Sequence, residues 1–236
     1  MKGEIDQYTL TNDTMSYFTI DKARASALFI VTTLLAKPTL YLLAESNAAS
    51  KYLPRYSYMK DVTSQLGVAY EYKDPVTNEI IYSADSRGMN VAFFTNGMLE
   101  MAAHWELVHL IGTGRFASTR RALAVMYFIG MALLVLVPGG PKERESRAIV
   151  LHGIGALLAL GCGNLNSIMV GLSAPAAHPV YRWISVVCGA SGLLGILAFA
   201  LLSSKDTRGF WQRTSIYSKV AWEFFTATKA IFDLTV

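Results

Sequence analysis

The chain is partitioned by its charges. Asp, Glu, Lys and Arg are scarce across six stretches, about Ala23 to Ala44, Met89 to Ile111, Ala122 to Val137, Ala148 to Leu172, Val180 to Leu202 and Ser215 to Leu234. Most approach the ~20 residues that a helix needs to cross a bilayer. In hydrocarbon every backbone N–H and C=O must be satisfied within the chain, which leaves such a run little choice but the helix. The pattern predicts an all-α fold, a polytopic transmembrane helical bundle of about six spans, with residues 1–236 forming one multi-pass integral membrane domain. Composition agrees: 53% of the residues are apolar and only 16% charged, against roughly 25% charged in a soluble domain. Met1 to Arg24 carries Glu4, Asp6, Asp13 and Asp21 without an apolar core. It therefore does not read as a signal peptide, and insertion is expected to rely on the first span.

The long connection, residues 45–87, reads as an extramembrane loop. Within it Val68 to Tyr72 and Glu79 to Ser83 flank Lys73-Asp-Pro-Val-Thr-Asn78, a turn signal between alternating segments, which predicts a small hairpin. Glycines 153, 155, 161 and 163 in the fourth span and 189, 192 and 195 in the fifth are expected to let helices approach closely. The net charge of +4 does not predict a nucleic-acid partner, because the positive residues lie in inter-helix loops. They divide evenly between the two sets of loops, so orientation stays open, as does oligomeric state. Cys162 and Cys188 stand in apolar runs without a CxxC or Cys/His pattern, and are expected to be buried, inert thiols. No phosphate-binding glycine loop, dinucleotide fingerprint or nucleophile elbow is present, and neither a metal nor a cofactor is expected.

Ionisable side chains inside spans cost roughly 2.5 kcal/mol or more each, so they mark the positions that matter. In the second span Asn96, Glu100 and His104 are spaced i, i+4, i+8 and share one helical face, with Asn90 upstream. Because successive spans alternate in direction, Lys37, Asn96, Glu100, His152 and Glu223 fall in the half of the membrane beneath the first, third and fifth loops. They predict a polar pocket lined by Lys37, Asn96, Glu100, His104, His152 and Glu223, with Asn90, Asp61 and Trp222 as further substrate-binding candidates. Glu100, Glu223 and His104 are the candidate catalytic residues. One acid is expected to carry a proton and donate it, and the other, or His104, to take one back. Such a pocket suits acid–base chemistry on a lipid or isoprenoid, and equally proton-coupled transport. A lipid-binding protein without chemistry and a structural subunit of a membrane complex are the alternatives. Mutual pairing as interhelical glue, Lys37 with Glu223 or His104 with Glu100, is the plainer account of the same residues.

Tyr56-Ser-Tyr-Met-Lys-Asp-Val-Thr-Ser-Gln-Leu-Gly67 resembles the signature of an uncharacterised family of six-helix membrane proteins, roughly Tyr…Ser-Asp-Leu-Gly, with Gln65 in place of the acid. Asn90, His152-Gly153 and Gly209-Phe-Trp-Gln-Arg213 also match. The layout is similar to that of the eukaryotic membrane proteins that remodel GPI-anchor lipids. This resemblance implies a six-helix fold and a lipid-like ligand. Through Glu100 and Glu223 alone, the chain also resembles the small integral-membrane terpene cyclases, in which acids protonate an epoxide or alkene.

Overall fold

A computed structural model describes residues 5–73, 78–111, 116–176 and 178–235, with side chains described between 24 and 107 and between 116 and 232 of these. Its elements are α1 (Ile5–Ser50), β1 (Tyr52–Leu53), a 3₁₀ turn (Thr63–Gly67), β2 (Tyr72–Lys73), β3 (Ile80–Ser83) and α2 (Ser86–Ile111). There follow α3 (Ala117–Leu136), the short α4 (Pro141–Glu145), α5 (Ile149–Ser173), α6 (Pro179–Leu201) and α7 (Arg208–Thr235). The fold is an all-α bundle. Four helical segments, Arg24–Ser50, Ala117–Leu136, Ile149–Ser173 and Pro179–Leu201, are long and apolar enough to cross a membrane. The helices α1, α2, α3, α5, α6 and α7 pack each on the next, and α7 returns to α1 to close a ring.

Small residues set how closely the ring packs. A Cβ on Gly130 of α3 would lie 2.7 Å from the carbonyl oxygen of Gly155 and 2.5 Å from the amide nitrogen of Ala159, so these two backbones touch. Gly195 of α6 meets the backbone of Ser215 in the same way, at 2.7 Å. Gly153 and Gly161 depart from the expectation: a Cβ on either would meet nothing within 4 Å. They lie on a different face of α5 from Gly155 and make no helix contact.

Two helices are longer than the charge pattern predicts. α1 runs through Glu45 to Ser50, and α7 begins at Arg208 rather than near Ser215. Charge suggested loop at both places. Glu45 and Arg213 instead pair with each other at 2.9 Å and are buried, so neither has to leave its helix to reach water. Pro141 and Pro179 each occupy the first turn of a helix, where the missing N–H costs nothing.

The first loop folds into a cap. β2 and β3 form the expected hairpin, pairing Tyr72 with Ile81 and Lys73 with Ile80. β1 adds a strand to the other edge of β3, giving the order β1-β3-β2. Two residues before Pro54 carry no alternation, so this strand has no signal in the sequence. The 3₁₀ turn is pressed onto the bundle, with Leu66 fully buried. Asn90 Nδ2 donates to the Gly67 carbonyl at 2.9 Å, and the Thr63 N–H donates to Gln212 Oε1 at 2.7 Å. Arg213 donates to the carbonyls of Tyr58 (2.8 Å) and Asp61 (2.7 Å) and to the Tyr56 hydroxyl. Lys60 and Asp206 pair at 2.8 Å, and Tyr70 donates to Glu143 at 2.5 Å. The first, third and fifth connections therefore meet at one end of the bundle, as helix alternation requires.

Candidate functional site

The polar stripe of α2 faces inward: Asn96, Glu100 and His104 are all buried. α1 brings Lys37 against it and α7 brings Lys219, Trp222 and Glu223, all likewise buried. Lys37 Nζ lies 2.5 Å from Glu100 Oε2 and also donates to Glu223 Oε1. Lys219 Nζ lies 2.6 Å from Glu223 and 3.0 Å from Glu100. His104 Nε2 is 3.0 Å from Glu100 Oε1, and its ring stacks on Trp222 with centroids 5.8 Å apart and planes 9° from parallel. Trp222 Nε1 donates to Ser185 Oγ of α6 at 3.0 Å. Tyr127 of α3 donates to Asn96 Oδ1 at 2.6 Å and turns its ring toward Lys37 Nζ, 5.3 Å from its centroid.

Two lysines and two acids thus alternate in one cluster, each lysine touching both acids. Each buried ion costs several kcal/mol to desolvate, which only close and complete pairing offsets. Beside the expected Lys37, the cluster holds a second lysine. The second cation is Lys219, a residue of the sixth stretch that the expected pocket leaves out. It stands one helical turn before Glu223 on α7, and that i, i+4 spacing with an acid is the signal that could have revealed it.

A cavity adjoins the cluster on the cap side. Asn96, Tyr127, Lys219 and Glu223 form its polar wall, Phe93, Met131 and Val220 its apolar sides, and Thr63, Ser64 and Gln212 its roof. Its volume is about 60 Å³, roomy enough to admit water. Of the expected lining residues, Asn96 and Glu223 border this cavity. Lys37, Glu100 and His104 stand behind that wall as members of the cluster, and Trp222 packs against His104.

Three expected substrate-binding residues lie elsewhere. Asn90 secures the cap through Gly67. Asp61 accepts the Ser57 N–H at 2.8 Å and gives its carbonyl to Arg213, so it shapes the cap loop away from the cavity. His152 borders a second cavity between α5, α6 and the start of α7, its Nδ1 2.7 Å from the Val137 carbonyl. The segments that carry the resemblance therefore gather at one end: Gly209 packs on the carbonyls of Tyr58 and Asp61, Arg213 binds the same loop, Asn90 holds Gly67, and His152 stands beside Gly139. Gln65, at the position of the signature's acid, accepts the Val62 N–H at 3.0 Å and closes the 3₁₀ turn.

Helices of membrane-spanning length and apolarity, a buried charge-balanced cluster and a cap sealing one end define a membrane-type helical bundle with an ionic core. Within that class the chain belongs to the family described as protein of unknown function (DUF998), whose model matches residues 40–229. The match takes in Glu100, His104, Lys219 and Glu223 and begins three residues after Lys37. No curated protein and no solved structure matches the chain.

Proposed function

We propose that the chain is a multi-pass integral membrane enzyme with six spans that performs acid–base chemistry on a lipid or isoprenoid admitted to the cavity beside its charge cluster. α2 and α7 complete the six. Their 26 and 28 residues extend roughly 39 and 42 Å, enough to cross a ~30 Å hydrocarbon core. Glu100 of α2 and Lys219 and Glu223 of α7 turn inward onto one another, while Phe94, Met98 and Phe232 face outward. The observation that carries the enzymatic reading is that Lys219 and Glu223, ion-paired to each other, also border the cavity. The Lys219 ammonium supplies a proton to a bound molecule and the Glu223 carboxylate takes one back. Glu100 and Lys37 hold that pair from behind, and His104, in contact with Glu100, is positioned to restore the proton balance.

The test is turnover by purified protein in nanodiscs, supplied with lipid and isoprenoid extracts and read by mass spectrometry. Glu223→Gln keeps shape and hydrogen bonding but removes the titratable oxygen, and Lys219→Met removes the proton donor. Each is expected to remain folded enough to purify and to lose conversion by 100-fold or more, the general-acid range. Full conversion by both variants would contradict acid–base catalysis. The balance of charges favours a second reading, in which the cluster only locks α1, α2 and α7 together. On that reading no extract is converted by the parent, and both variants fail through unfolding.

A further inference from the structure

The second cavity has the form of a site for an amphiphile. One wall is apolar, built from Leu157 and Leu160 of α5 and Ile196 and Phe199 of α6. Leu157 is 61% exposed, so this wall opens sideways onto the surface that faces lipid. Its rim at the cap end is cationic, with Arg144 and Arg208 on the same opening as His152 and Gln65. Its volume is about 290 Å³, against about 60 Å³ for the inner cavity. The two share Ser64, Ala156, Leu160 and Gln212, so they are separated by a single layer of side chains.

The cations of the rim are uncommitted. Among the described residues Arg144 has no carboxylate within ion-pair distance. Arg208 uses its Nε on the Lys60 carbonyl at 3.0 Å, and among the described residues its two terminal nitrogens have no partner. Two acids of the neighbouring loops are engaged with other partners: Glu143 accepts from Tyr70 and Asp206 pairs with Lys60. Gln65 is neutral and already capped onto Val62. Two guanidinium groups at the polar end of an apolar, membrane-facing slot match a phosphate on an acyl or prenyl chain, since guanidinium forks bind phosphate oxygens in pairs. Gly153 keeps the slot open, because its missing side chain would project into it without touching anything.

We propose that this slot is the lateral portal for a phosphate-bearing lipid, with the headgroup between Arg144 and Arg208 and the chain along Leu157, Ile196 and Phe199. It rests on the proposed function for its purpose, and it names the substrate class: a lipid drawn from the bilayer by its phosphate and presented to the inner cavity through the Ser64–Gln212 layer.

Lipid retention tests the portal without turnover. The full chain is purified into nanodiscs of zwitterionic lipid doped with dioleoyl phosphatidate or dioleoylglycerol, and adducts are counted by native mass spectrometry. The parent is expected to retain phosphatidate over dioleoylglycerol by at least tenfold. Arg144→Ala with Arg208→Gln should abolish that preference, Arg144→Ala alone should reduce it severalfold, and Gly153→Leu should displace the lipid by filling the slot. Lys205→Ala, an exposed cation on the neighbouring loop, should leave it unchanged, which separates the site from general surface charge. Ten millimolar inorganic phosphate should not compete, because the chain supplies much of the binding. The proposal is overturned if the parent shows no preference, if the double arginine variant keeps it, or if free phosphate removes it. A protein that retains phosphatidate through its arginines yet converts nothing contradicts the acid–base reading alone. One that converts a lipid without this preference contradicts the portal alone.

Discussion

Removing the Lys37 ammonium is the sharpest test of the charge-balanced core. Lys37→Met keeps an unbranched apolar stem of similar length, so the cavity left behind is small, and the main change is electrostatic. Lys37 Nζ contacts Glu100 at 2.5 Å and also Glu223, with no exposed surface on its side chain. Without it, two buried carboxylates share Lys219 alone. Stranding one partner of a buried ion pair costs about 3–5 kcal/mol. Removing a carboxylate as well, in Lys37→Met with Glu223→Gln, leaves Lys219 facing Glu100 at 3.0 Å and restores neutrality. The double variant should therefore be less destabilised than the sum of the singles by about 2 kcal/mol or more, within the range of coupled neighbours. Reversible unfolding in mixed micelles, followed by circular dichroism, measures all four corners of the cycle. A Lys37→Met variant within about 1 kcal/mol of the parent, or strictly additive effects, would refute the argument; the scale of a buried-pair loss sets that threshold.

The cap and the topology give two further expectations. Arg213 serves Glu45, two cap carbonyls and the Tyr56 hydroxyl through one guanidinium, a geometry that a lysine point charge cannot copy. Arg213→Lys should lower stability by about 2–4 kcal/mol, a little below the cost of stranding a buried ion outright. It should also raise hydrogen exchange across residues 57–67; exchange unchanged there would mean that the cap is held by other contacts. Cysteines introduced at Asp61 and Asp206 should be labelled from the same side of the membrane, and one at Ser118 from the other, whereas opposite reactivity of the first two would break the six-span arrangement.

The bundle was legible because the information is local. Apolar runs of spanning length and turn signals such as Pro138-Gly-Gly-Pro141 and Lys73 to Asn78 each act within a few residues. What escaped was decided by partners far away in the chain. Glu45 and Arg213, 168 positions apart, look like loop charges one at a time, and only together do they become a buried pair that lets both helices continue. Gly153 and Gly155 are indistinguishable in sequence, yet two residues on a helix turn the direction by about 200°, so one meets α3 and the other meets open space.

Lys219 shows how such a miss could be avoided. The sequence places two acids, Glu100 and Glu223, in one pocket with a single lysine, Lys37. Ionic cores are subject to a stricter condition, because an unpaired charge in hydrocarbon costs more than any packing contact returns. Two buried acids therefore demand a search for a second cation before a protonated carboxyl is invoked. α7 starts at Arg208, which carries Lys219 roughly 16 Å along its axis, as deep as the acids it neutralises. The same lysine also borders the cavity, so the residue that completes the ion pairs of the core is also one that meets the cavity.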